Sequence, residues 1–178
     1  MSSFPLGSPV RLEDLEAVAR GGRRVALGPA ALARIGRSRK ALERAASSGE
    51  AIYGVNTGFG ELAGRRIALD KIRQLQRNLV LSHACGIGEP LGEAEARGLV
   101  FLRANELARG YSGCRPALVS LLAGLVNRGV TPLIPSRGSV GASGDLAPQA
   151  HAALVVIGEG KALFGDKTLS GGRALAAA

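Results

Sequence analysis

The chain has 178 residues, 46% hydrophobic but only 3% aromatic, so one domain with a core of Leu, Val, Ile and Ala is expected. The net charge of +9 raises the question of nucleic acid, but the basic residues spread from Arg11 to Arg173 and no aromatic side chains alternate with them to stack bases, so no nucleic-acid partner is expected. No apolar run reaches the ~18 residues of a membrane span, residues 1–10 lack a basic and then apolar leader, and Cys85 and Cys114 have no metal-ligand spacing, so the expectation is a cytoplasmic protein with reduced thiols, no metal and no membrane association.

Gly and Pro punctuate a series of predicted helices. A short helix from Leu12 to Arg20 is stopped by Gly21 and Gly22, and a strand-like stretch follows from Arg24 to Leu27. Pro29 suits the first position of a longer helix to Ser48, with Gly49 as its stop and Leu32, Ile35, Leu42 and Ala46 as its apolar stripe. The segment Ala51 to Leu62 has glycines at 54, 58 and 60 and reads as a loop with a short extended start. Asp70 is placed to cap a helix running to about Cys85, with Ile72, Leu75, Leu79 and His83 on one face and Gly86 and Gly88 ending it. Further helices are predicted from Glu93 to Arg109 and from Pro116 to Gly129, the second with Leu118, Leu121, Leu122 and Leu125 inward.

Gly129 to Ser143 reads as irregular, with Pro132, Pro135 and three glycines. Asp145 to Ile157 carries no charge after Asp145, the pattern of a helix in the middle of a bundle. Lys161 to Leu169 reads as a hairpin turning at Gly165-Asp166, and Ser170 can cap a last helix from Arg173 to Ala178, with no stop signal after it.

The segment that carries chemistry is Gly138-Ser-Val-Gly-Ala-Ser-Gly-Asp-Leu146. Gly144 has no Cβ, so its nitrogen can approach the carbonyl carbon of Ala142 closely, and small Ala142 does not block it. Attack there closes a five-membered ring. Loss of one water gives an imidazolone, and loss of the Ser143 hydroxyl as a second water leaves an exocyclic methylene, a conjugated electrophile made from backbone. Asp145 could move protons during the closure or could only cap the helix. By itself the stretch reads as a turn and helix cap, and it only partly mimics a Gly-x-Ser-x-Gly elbow.

The run Gly138 to Gln149 resembles the signature of the aromatic amino-acid ammonia-lyases, in which Ala-Ser-Gly cyclises to 4-methylidene-imidazol-5-one, MIO. Tyr53-Gly-Val-Asn-Thr-Gly-Phe-Gly60 resembles the family's tyrosine loop and Asn78-Leu-Val-Leu-Ser-His-Ala84 its first selectivity helix, in the same order. The resemblance spans essentially the whole chain. It implies a mainly α fold, a helical bundle with Gly-rich active-site loops and a small β-hairpin, the amino-terminal part of an ammonia-lyase/fumarase-like fold. Residues 1–178 would then be a single MIO-bearing domain of a longer lyase whose carboxy-terminal helical part is absent.

Site roles follow from the same matches. The cofactor MIO forms autocatalytically from Ala142, Ser143 and Gly144. Tyr53 matches the base that removes the substrate's β-proton, which requires a site favouring phenolate because a free Tyr, with a pKa near ~10, is a poor base. Read without the match, Tyr53 is a half-buried aromatic in a Gly-rich turn. His83 matches a substrate-binding position, and Ser82-His83 resembles the histidine-specific members, whereas phenylalanine and tyrosine enzymes tend to carry Leu there. By position alone His83 reads as a core histidine, and the match reverses this. His151 reads as structural, hydrogen-bonded within the bundle. The resemblance implies a carbon–nitrogen lyase of the histidine ammonia-lyase kind that converts the amino-acid substrate L-histidine to trans-urocanate in histidine catabolism, as a homotetramer in the full-length form. A tyrosine or phenylalanine lyase, an aminomutase and a catalytically silent helical fragment are the alternatives.

Overall fold

A computed structural model describes residues 2–48, 51–58, 64, 67–139, 144 and 146–178. It contains helices α1 (Leu12–Ala19), α2 (Pro29–Ser47), α3 (Ile72–His83), α4 (Glu93–Ala108), α5 (Pro116–Arg128), α6 (Leu146–Val156) and α7 (Gly171–Ala177). The strands are short: β1 (Phe4–Pro5), β2 (Val25–Ala26), β3 (Ile87–Pro90), β4 (Val130–Pro132), β5 (Pro135–Arg137), β6 (Lys161–Phe164) and β7 (Lys167–Ser170). The fold is mainly α.

Local chemistry sets most helix ends. Glu95 reaches back to accept the Gly92 N–H at 2.8 Å where α4 starts, and Asp14 does the same for Arg11 at 3.2 Å in front of α1. Pro29 and Pro116 occupy first positions of α2 and α5, and Gly129 closes α5 at φ +70°, a left-handed conformation that favours glycine. Asp70 lies in a 3₁₀ turn, Leu69–Lys71, and the residue at the cap position of α3 is Lys71, so Asp70 does not cap the helix. Gly49, the expected stop of α2, lies outside the described residues.

The core gathers around α4, buried through Ala96, Gly98, Val100, Phe101, Ala104, Asn105, Leu107 and Ala108. Small residues bring its neighbours close: a Cβ on Gly98 would stand 3.3 Å from the Leu15 side chain of α1. Phe101 meets Phe4 edge to face at 5.1 Å. Asn105 accepts the Gly7 N–H at 2.7 Å and donates to the Ser8 carbonyl at 3.0 Å, so a buried amide is satisfied entirely by the amino-terminal segment. Asn127 of α5 likewise brackets Val25 of β2, at 2.8 and 2.9 Å.

The structure revises several expectations. On α2 the buried residues are Ala31 and Ile35, while Leu32 is exposed, because the face turned to α4 and α5 is rotated from the Leu32 edge. The span 129–143, expected to be irregular, holds β4 and β5. β4 pairs antiparallel with β6, extending the β6–β7 hairpin to three strands, and β5 pairs antiparallel with β3. Helix α6 is not enclosed: Ala147, Ala150, Ala152 and Val155 are buried, but Leu146 is 50% exposed because no described element covers that edge. The hairpin turns at Gly165-Asp166, with Gly165 at φ +57°. Ser170 occupies the cap position of α7 but makes no side-chain cap bond.

Phe101 has no exposed surface. Phe101→Ala should lower unfolding free energy by about 3–5 kcal/mol, read from the shift of a urea midpoint at unchanged slope.

Candidate active site

The turn that carries Tyr53 is organised from inside. Val55 and Asn56 N–H groups donate to the Ile52 carbonyl at 3.0 and 3.2 Å, and the Asn56 side chain accepts the Ile52 N–H at 2.7 Å. Gly54 sits at φ +75°, open to glycine and strained for most other residues. The turn spans residues 53–56, and residues 51 and 52, the expected extended start, belong to no strand. Asn56 and Thr57 are buried and Tyr53 is 65% exposed, so the polar framework is inside and the phenol outside. The turn touches α3 through Gln76, whose amide donates to the Gly54 carbonyl at 3.3 Å.

His83 is the last residue of α3, on the face shared by Ile72, Leu75 and Leu79. Its Nδ1 lies 2.9 Å from the Leu79 carbonyl and 3.1 Å from the Ser82 hydroxyl. A carbonyl oxygen only accepts, so Nδ1 carries the proton and donates. The neutral ring then presents Nε2 as an acceptor. Ser82 also donates to the Leu79 carbonyl, at 3.0 Å.

Beyond α3 three backbone segments converge. A Cβ on Gly86 would stand 3.0 Å from His151 Nε2, 3.1 Å from the Pro135 side chain and 3.2 Å from the Arg137 carbonyl. A Cβ on Gly138 would stand 2.8 Å from the Gly86 Cα. The approach is possible only because both residues lack a side chain. His151 closes it: the Gly86 N–H donates to His151 Nε2 at 3.0 Å. Earlier on α3, Arg77 is 2.8 Å from Glu159, which follows α6. Residues 77 and 86 thus face 159 and 151 in reverse order, so α3 and α6 run antiparallel.

Gly144 stands at φ +87° in front of α6, exposed, and its carbonyl accepts the Leu146 N–H at 3.1 Å. Ala142, Ser143 and Asp145 lie outside the described residues, as do Phe59 and Gly60 of the Tyr53 motif. The structure therefore brings the Tyr53 turn, the His83 end of α3 and the approach to residue 144 onto the α3–α6 pair. Among the described residues no group of three or more His, Cys, Asp or Glu could hold a metal ion. No helix among them is long and apolar enough to cross a membrane.

Residues 10–178 match the sequence profile of the family described as aromatic amino acid lyase. The chain belongs to that family. It is 54% identical over 176 residues to a histidine ammonia-lyase of Sorangium cellulosum, a match covering 97% of this chain and 34% of that protein. Among solved structures, it superposes on the phenylalanine aminomutase of Pantoea agglomerans with a TM-score of 0.92 at 32% identity, over 99% of this chain and 34% of that one. It superposes on the histidine ammonia-lyase of Trypanosoma cruzi with a TM-score of 0.87 at 32% identity, again over 99% and 34%. This lyase-family chain thus spans about a third of the length of the relatives it matches.

Sequence reasoning did not find Asn56, Gln76 or the Gly86–His151 contact. An Asn in a Gly-rich turn was the available signal for Asn56. The contact between residues 86 and 151 had none.

Burial pushes the pKa of His151 below the ordinary imidazole value of 6.5, which suits a ring that must stay neutral to accept at Nε2. The unfolded chain therefore binds this proton more readily than the folded one. The contribution of His151 to stability is complete above 6.5 and is lost as pH falls from there through the lowered folded value. The Asp14 carboxyl, held below its ordinary 3.8 chiefly by the Arg11 N–H, acts only at lower pH. The thermal midpoint should fall between about pH 7 and about pH 5, and His151→Gln should flatten that slope; scanning calorimetry at several pH values reads both.

Proposed function

We propose that this chain provides the amino-terminal part of a histidine ammonia-lyase, which eliminates ammonia from L-histidine without oxidation to give trans-urocanate. The match to the Sorangium cellulosum histidine ammonia-lyase, 54% over 97% of the chain, carries the reading. Ala142, Ser143 and Gly144 are the residues that would become MIO, and Gly144 fits: it lacks a Cβ, is exposed and holds a positive φ before a helix start. When formed, that group supplies an electrophile against which ammonia can leave.

The other residues bind and move protons. Tyr53 takes the β-proton, which is not acidic on its own and is the difficult part of the elimination. His83, with Nδ1 committed to the Leu79 carbonyl, accepts a ring N–H of the substrate at Nε2. That hydrogen bond separates histidine from phenylalanine, whose ring has no such donor. Asp145 assists the proton transfers of cyclisation.

Exposed apolar side chains on α1, α4 and α6 (Leu12, Leu102 and Leu146) suit burial in the longer, homotetrameric enzyme, and the free thiols Cys85 and Cys114 suit a cytoplasmic setting. The superposition on the Pantoea agglomerans aminomutase favours, as a second reading, a related reaction on another aromatic amino acid, but at 32% identity against 54%.

The chain should weigh two waters less than its sequence demands, and Ser143→Ala should not lose the second water; intact-mass spectrometry reads both. L-Histidine given to the chain alone, and to the chain joined to the remainder of the Sorangium cellulosum relative, tests the activity through the absorbance of urocanate. Tyr53→Phe in the joined protein should slow urocanate formation by roughly 10²–10⁴-fold with cyclisation intact. A full-mass chain and no urocanate from the joined protein would leave only a silent helical domain.

A further inference from the structure

His151 takes no part in the chemistry above, yet its imidazole accepts the N–H of Gly86, the last residue before β3. Gly86 is three residues beyond His83, Gly138 four residues before Ala142, and Ala147 three residues beyond Gly144. These are the segments that converge: a Cβ on Gly138 would stand 2.8 Å from the Gly86 Cα and 3.2 Å from the Ala147 side chain. His151 stands one turn beyond Ala147 on α6 and accepts the Gly86 N–H at 3.0 Å. We propose that His151 is a positioning residue: its neutral Nε2 fixes the end of α3, and with it His83, against the stretch that leads into residues 142–144.

The geometry favours this over simple core filling. His151 is only partly buried, and what it contributes is an acceptor aimed at a backbone donor. An apolar side chain of equal bulk would fill the space and leave the Gly86 N–H without a partner. The link is also not needed to hold the two helices together. α3 and α6 pack directly on one another, the Arg77–Glu159 ion pair ties the middle of α3 to the segment after α6, and α6 is itself anchored in the core through Ala152 and Val155. Loss of the His151 bond should therefore loosen one corner of the α3–α6 pair and leave the remainder of the fold in place.

The consequence for residues 142–144 rests on the functional reading above, and the test separates the two. Nitrogen NMR of the chain should show His151 as the tautomer with Nδ1 protonated and Nε2 bare. His151→Leu should speed amide exchange at Gly86 by on the order of tenfold, with slower core amides such as Leu125 unchanged, and should lower the fraction of chains that have lost two waters. His151→Gln, whose side-chain oxygen can accept the same N–H, should restore both. A bare Nδ1 with Nε2 protonated in the wild type would overturn the proposal without any variant. Exchange that rises equally everywhere, or Leu and Gln variants that behave alike, would overturn it too. If the wild type keeps its full mass, the cyclisation reading fails, and the tautomer and the local exchange still decide the role of His151.

Discussion

Asn105 holds the organisation of this chain together. It lies on the most deeply buried helix, one turn beyond Phe101, and an amide there is tolerable only because Gly7 and Ser8 satisfy it. That requirement brings the amino-terminal segment against α4, places Phe4 on the Phe101 ring and aligns β1 beside β2. Around the same helix α1, α2 and α5 pack, and β4 follows α5 directly. The hairpin then adds to β4, α7 packs on the hairpin, and α6 lies against both. The region of the candidate site hangs on this sequence of supports, since α3 is held by α6.

The candidate site is built from backbone more than from side chains. Two glycines, at 86 and 138, let chain segments touch where any Cβ would separate them. A third, at 54, takes the positive φ that lets a four-residue turn present a phenol outward while Asn56 stays inside. Such sites gain rigidity from the elements that carry them.

What the sequence made legible was what local chemistry decides. Pro29, Pro116 and Gly129 mark α2 and α5, and Gly165-Asp166 marks the hairpin, because each acts within a few residues. What it hid depends on partners far along the chain. Strands of two to four residues, β1, β3, β4 and β5, exist through pairing and carry too few residues for a period. The charges on α4 disguised its burial, and the apolar run of α6 overstated its own, because burial depends on what covers a face and not on the face alone. For the candidate site, the resemblance alone pointed to Tyr53, His83 and residues 142–144, while the His151 bond to a residue 65 positions away left no trace in spacing.

The Asn105 clamp also says something about assembly in time. Residues 7 and 8 are made well before their partner, which lies 97 or 98 positions later, and Val25 waits for Asn127 across 102. Closing loops of that length is slow compared with forming a helix. This segment, made early, is therefore among the last to find its place, and until it does the Phe101 ring lacks its Phe4 partner. Chains that stall before residue 105 would expose Phe4 and Leu6 without a docking site, a window in which these apolar side chains are open to association with other molecules.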